Sequence, residues 1–141
     1  MANVAGLLVG RWTYENFYRA WHERKGTFSA WMDNIQKYVA SRTLKEPLPW
    51  MNSTLLKGDA ADAVARLKSQ LGKDLVIMGS GELIQSLMQR NLIDEYVLLI
   101  HPIVLGSGKR LFTDGGAYAS LRLVSSKTTE KGVVIATYQP A

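Results

Sequence analysis

Apolar positions along the chain fall into runs, helical stripes and alternations, and each pattern points to a different element. The run Val4-Ala5-Gly6-Leu7-Leu8-Val9, closed by Gly10, is continuously apolar, as in a strand buried on both faces. Tyr14, Phe17, Tyr18 and Trp21 then recur at i, i+3, i+4 and i+7 and predict a helix whose aromatic stripe is core rather than a cofactor box. Thr13 is placed to cap its start. A second short helix is expected from Phe28 to Ile35, on fewer apolar positions. Lys37 to Ser41 reads as a strand, and Pro47 and Pro49 keep the following loop irregular through Trp50. Ser53 to Leu56 is a further short strand, ended by Gly58. From Asp59 on, Ala60, Val64, Leu67 and Leu71 share one helical face, and Gly72 can end that helix in the left-handed conformation.

Leu75 to Met78 is another buried strand, running through Gly79-Ser80-Gly81 into a helix with Leu83, Ile84, Leu87 and Met88 inward and Asn91 at its end. Tyr96 to Leu105 predicts one long apolar strand that Pro102 must bend or place at an edge, because proline has no N–H to give a ladder. Gly106-Ser107-Gly108 turns the chain. Leu121 to Lys127 and Val133 to Gln139 alternate with period two around Lys131-Gly132, which predicts an antiparallel hairpin. Helices and strands alternate first and the hairpin comes last. The expected class is therefore α/β, a mostly parallel sheet with antiparallel C-terminal strands.

Composition narrows the chemistry. The 141 residues, 47% hydrophobic and 21% charged, suit one domain with a real core and are too few for two. The absence of cysteine removes disulfides, thiolate nucleophiles and cysteine-held metals, and the two histidines, His22 and His101, leave little for any metal site. The net charge of +5 could serve nucleic acid, a membrane surface or an anionic small ligand. The basic residues are scattered, with Arg24-Lys25 and Lys109-Arg110 the closest groupings, so nucleic acid is not the expected partner. Met1 to Val4 carries no charged region ahead of a long apolar stretch, no window of 18 apolar residues exists, and the expectation is a cytoplasmic protein with no membrane partner. Asn52-Ser53-Thr54 matches a glycosylation sequon but, without a secretory signal, reads as a strand-entry coincidence.

Three strand ends collect groups suited to an anion. Gly79-Ser80-Gly81, followed by Glu82 and Leu83, links a buried strand to a helix; glycine lets backbone approach a ligand, and the free N–H groups and dipole of a helix N-terminus suit phosphate. The plain alternative is a tight strand–helix turn. A dinucleotide fingerprint is not met, because Ile84 stands at the third glycine position and no acidic residue ends a strand about 20 residues on. Gly10-Arg11-Trp12-Thr13 and Ser41-Arg42-Thr43 each join a guanidinium to a hydroxyl donor beside a strand end. In a parallel sheet the three would converge on one edge and bind an anionic, nucleotide-type ligand. Gly106-Ser107-Gly108-Lys109 lacks the earlier glycine and following hydroxyl of a nucleotide-triphosphate loop, having Ile103 and Arg110 there, and reads as a solvated turn. No nucleophile elbow is present; His101 reads as a hydrogen-bonded structural histidine in an apolar strand, and Asp94-Glu95 as a solvated turn.

In their order, these segments resemble the dihydrofolate reductase-like superfamily, and especially the bacterial branch related to the reductase domain of the riboflavin-biosynthesis deaminase-reductase. The likeness is carried by Leu8 to Glu15, Lys37 to Leu44, Val76 to Leu83, Asp94 to Tyr96 and His101 to Phe112, nearly the whole chain. It implies a three-layer fold and an NADPH-dependent reductase that passes hydride to a pteridine or ribosylamino-pyrimidinone small-molecule substrate. In such proteins the turn matching Gly10, Arg11 and Thr13 contacts cofactor phosphates, the segment matching Ser41, Arg42 and Thr43 holds the adenosine 2′-phosphate, and Gly79, Ser80, Gly81, Glu82 and Leu83 match the pyrophosphate turn. A pair of arginines there would favour NADPH over NADH. Only nine residues precede Gly10, whereas the family carries another strand and a loop before it. The expectation is one domain lacking its first strand, with a neighbouring strand edge unpaired and filled by another chain, as in a homodimer, or by sequence further upstream. No proton donor is evident. The alternative reading is a nucleotide-binding or structural domain without catalysis.

Overall fold

The computed structural model describes residues 3–22, 24–70 and 72–141. Leu71, assigned above to an apolar helix face, and Met1 and Ala2 at the amino terminus lie outside the described residues. The chain divides into two compact units, Met1–Ser86 and Leu87–Ala141.

In the first unit, β1 (Val4–Gly10), β2 (Lys37–Ala40), β3 (Ser53–Leu56) and β4 (Asp74–Ile77) form a parallel sheet in the order β3-β2-β1-β4. Parallel neighbours need crossovers, and here α1 (Arg11–Trp21) with α2 (Thr27–Asn34) joins β1 to β2, while α3 (Ala60–Gln70) joins β3 to β4. In α3 Val64 is buried as its spacing predicts, but Ala61 and Ala63 are buried beside it while Ala60 and Leu67 are only half-buried, and Gly72, expected to close that helix in the left-handed conformation, has no positive φ. In the central strand β1, Leu7, Leu8 and Val9 are all buried, as an uninterrupted apolar run requires when both sheet faces are covered. Leu7 and Val9 share a core with Tyr14, Met32, Val39 and Trp50, and Phe17, Tyr18 and Trp21 pack against it, so the aromatic stripe is core as expected.

A polar arrangement holds the loop between β2 and β3 onto this core. The Tyr14 hydroxyl accepts from the Trp50 amide and donates to Ser53 Oγ, both at 3.0 Å. Trp50 Nε1 donates to Asp33 Oδ1 at 2.6 Å. Lys37 opens β2 with only 1% of its surface exposed. Its ammonium donates to the carbonyls of Asp33, Ile35 and Met51 at 3.0, 2.9 and 2.9 Å and lies 4.4 Å from the Trp50 ring centroid. Desolvation lowers its pKa from 10.5 to about 8, partly opposed by the Asp33 charge. Tyr14→Phe leaves the buried Trp50 amide without its acceptor and is expected to cost about 1–2 kcal/mol in urea denaturation.

In the second unit, β5 (Tyr96–Ile100), β6 (Leu121–Thr128) and β7 (Val134–Pro140) form an antiparallel sheet in the order β5-β7-β6. The β6–β7 hairpin closes as the pattern predicts, with Thr129 N donating to Val133 O at 2.9 Å and Gly132 at φ 86°. Helix α4 (Gly81–Gln89) runs across the boundary of the units; Leu83, Leu87 and Met88 are buried, and Asn91 takes a left-handed φ of 54° just past its end. β4 and β5 each have a single neighbour and end their respective sheets.

Three further local expectations are corrected. β5 stops at Ile100, and the expected continuation to Leu105 is absent: Pro102 has no N–H, and the Ile103 amide closes a short turn onto the His101 carbonyl at 2.8 Å. Val104 is 95% exposed there, so the apolar run marks an exposed loop, and His101 lies in it rather than in a strand. Second, Thr13 does not cap α1. β1 passes into the helix with Gly10 as N-cap and no side-chain cap bond, which makes Thr13 the third helical residue, and it is buried. Third, Ser41 lies just beyond β2, which ends at Ala40. The α/β class stands, with a parallel sheet and an antiparallel one that gathers β5 with the C-terminal hairpin. Among the described residues, no helix is long and apolar enough to cross a membrane.

Candidate functional site

The site lies within the first unit, at the carboxyl ends of its strands. Because β1 sits between β2 and β4, the chain leaving each strand emerges beside its neighbour, and the three segments named from sequence are brought together. The turn after β4 packs directly on the turn after β1. Gly10 N donates to Gly79 O at 3.3 Å. A Cβ on Gly10 would lie 2.6 Å from Ser80 Oγ, and one on Gly79 would lie 2.5 Å from Thr13 Oγ1. Gly79 also holds φ at +140°, and the Gly79–Ser80 peptide is cis. A side chain at position 10 would require Ser80 Oγ to move, and one at position 79 would meet Thr13 Oγ1 in a backbone conformation that favours glycine.

Two helices start at this junction. In α4 the first bond running back along the helix is Ile84 N to Ser80 O at 3.1 Å, so the amides of Gly81, Glu82 and Leu83 precede the intrahelical ladder. α1 begins at Arg11 with no side-chain cap. Paired helix N-termini beside glycine-containing turns can hold an anion through backbone N–H groups.

The third segment is tied to the first by Arg11. Its Nη1 donates to Thr43 Oγ1 at 2.5 Å, and its Nε donates to Glu15 Oε1 at 2.5 Å in an i, i+4 ion pair. Ser41 Oγ accepts the amides of Thr43 and Leu44 at 3.2 and 3.1 Å, shaping the turn. Arg42 is exposed, and no hydrogen bond or ion pair joins it to another described residue. It lines a cavity of about 480 Å³ with Ser41, Leu44, Leu55, Lys57 and Asp59.

Comparison with known proteins identifies the fold carrying this site. Residues 1–135 match the model of the family described as the RibD C-terminal domain. The chain belongs to that family. A putative riboflavin biosynthesis protein from Shewanella sp. PV-4 superposes with a TM-score of 0.80 at 26% identity, over 99% of this chain and 76% of that one. RibD of Acinetobacter baumannii superposes at 0.64 with 13% identity over 97% and 47%, a likeness of fold. The uncharacterized protein YyaP of Bacillus subtilis is 38% identical over 106 residues, 73% of this chain and 54% of YyaP. The chain spans about half the length of the curated relatives it matches, at 54% and 42%. As a RibD C-terminal domain relative it has a dihydrofolate reductase-like, reductase-type fold.

Within this RibD-type domain, sequence pattern alone missed two residues. Glu15 compensates Arg11, a pairing legible from the i, i+4 spacing on a predicted helix. Lys57 follows β3 directly, at the strand edge where open α/β sheets place ligands.

Proposed function

We propose that this chain binds NADPH along the carboxyl ends of β1, β2 and β4 and serves hydride transfer to a pteridine or ribosylamino-pyrimidinone substrate. The observation that carries the reading is the fitted pair of glycine turns at Gly10 and Gly79, beside two helix N-termini and the Arg42 cavity. A pyrophosphate suits the first part, where the Gly81, Glu82 and Leu83 amides precede the α4 ladder and the Ser80 and Thr13 hydroxyls lie at the turns. An adenosine bearing a 2′-phosphate fits the second, where Leu44 and Leu55 supply apolar wall and Arg42 supplies charge. The bound nicotinamide would supply the hydride; Gly10, Thr13, Gly79, Ser80 and Gly81 position the cofactor, with Glu82 and Leu83 opening α4 beneath it. The family and the reductase-type fold of its relatives support the same chemistry.

Fluorescence titration tests the binding. NADPH is expected to bind more tightly than NADH, and Arg42→Ala to weaken NADPH about tenfold with little effect on NADH, the worth of one charge-assisted contact. Equal affinity of the wild-type protein for both cofactors would count against the assignment. Turnover is read separately, as NADPH oxidation with dihydrofolate and with the ribosylamino-pyrimidinone; binding without oxidation of either would remove those substrates and leave cofactor binding standing.

A further inference from the structure

We infer that Lys57 is the second cation reading the cofactor's 2′-phosphate, and that Arg11 does not take that part. The inference rests on the cofactor reading above and names the residues that decide its specificity. A phosphate monoester carries about −1.5 to −2 charges at neutral pH, so a single guanidinium leaves it under-compensated. Arg11 and Arg42 are the pair the sequence suggests, but Arg11 is already bound to Glu15 Oε1 and Thr43 Oγ1. An approaching anion therefore meets a nearly neutral Arg11–Glu15 pair.

Lys57 stands differently. In the parallel pairing of β2 with β3, Ala40 is opposite Leu56, and both strands end there. Ser41-Arg42 and Lys57 consequently leave adjacent strand ends, and all three line the same cavity. Neither Arg42 nor Lys57 has a hydrogen bond or ion pair with another described residue. The carboxylate in the cavity wall, Asp59, is engaged at the start of α3, where its Oδ1 accepts the Asp62 amide at 3.0 Å. Its charge is offset by the helix N-terminus. Two uncompensated cations on one small cavity suit a dianion, and they discriminate against a cofactor lacking it because both charges then go unpaired.

The probes are 2′,5′-ADP and ADP, which differ by the 2′-phosphate and need no nicotinamide contacts, titrated calorimetrically on the full chain. The wild-type protein is expected to prefer 2′,5′-ADP. Lys57→Ala and Arg42→Ala should each narrow that preference about tenfold, Lys57→Arg should retain it, and Arg11→Ala should weaken both probes alike. If Lys57→Ala keeps the full preference while Arg42→Ala narrows it, the inference is overturned and the cofactor reading survives. Narrowing by Arg11→Ala to the extent seen with Arg42→Ala would overturn it equally. If the wild-type protein binds neither probe, the cofactor reading falls and this inference with it. Lys57 is exposed, and a thermal melt of each variant confirms that the affinities compared belong to folded protein.

Discussion

Lys37→Met is expected to destabilise the protein by about 3 kcal/mol, measured as the shift in urea unfolding, although it removes a charge from the core and roughly preserves side-chain length. Burial of a lysine ammonium is costly, and taken alone its removal would stabilise. The structure reverses the sign because three backbone carbonyls, of Asp33, Ile35 and Met51, take their donor from that one ammonium. Methionine leaves all three without that donor and also removes the cation from the Trp50 face. These carbonyls belong to the end of α2 and to the loop entering β3, so the loss should fall on the attachment of that loop to the core.

The pH dependence of the same residue has a definite sign. Its folded pKa, about 8, lies below the ordinary 10.5, chiefly through desolvation. Between those values the unfolded chain binds more protons than the folded one, so the contribution of Lys37 to stability rises as pH rises through that window. The stability gap between wild type and Lys37→Met should therefore widen from pH 7.5 to pH 10. Taking the difference cancels Tyr96, whose pKa is raised by burial in both proteins. A gap that narrows would mean that the nearby Asp33 charge, and not desolvation, governs the site.

Local pattern made most of the elements legible and made few of their meetings so. The stripe Tyr14, Phe17, Tyr18 and Trp21 and the run Leu7-Leu8-Val9 announce their burial because periodicity depends on near neighbours alone. The same rule misreads Ile103-Val104-Leu105, since apolarity cannot tell a strand from a loop that leaves its apolar side chains exposed; Pro102 was the better guide. Lys37 gave no sign of being buried, because its carbonyl partners, Asp33, Ile35 and Met51, all lie outside its own strand. The three anion-binding segments were each visible, but their union depends on the strand order β3-β2-β1-β4, which no local pattern encodes. The Thr13 assignment failed for a related reason. Its side chain faces Gly79, 66 positions away in the chain, instead of its own helix start.

That last contact sets the second large effect. Gly79→Ala is expected to cost about 2–4 kcal/mol and to abolish measurable NADPH binding, since it perturbs the turn on which the proposed pyrophosphate contacts depend. Two causes act together: the new Cβ would lie 2.5 Å from Thr13 Oγ1, and φ of +140° is a conformation that residues with a side chain rarely adopt. Thr13→Ala separates them. It deletes Oγ1 and Cγ2, leaving the Thr13 Cβ at 3.5 Å, an ordinary contact. In a double-mutant cycle of urea unfolding, Thr13→Ala should recover the steric share of the loss, about 1–2 kcal/mol, while the backbone share persists. Strictly additive losses would show that the α1 and α4 turns are not packed as described. If Thr13→Ala alone still binds NADPH, recovery of stability without recovery of binding in the double variant would assign the remaining defect to the path of the backbone at Gly79, and with it the requirement that the cofactor be met there by peptide groups.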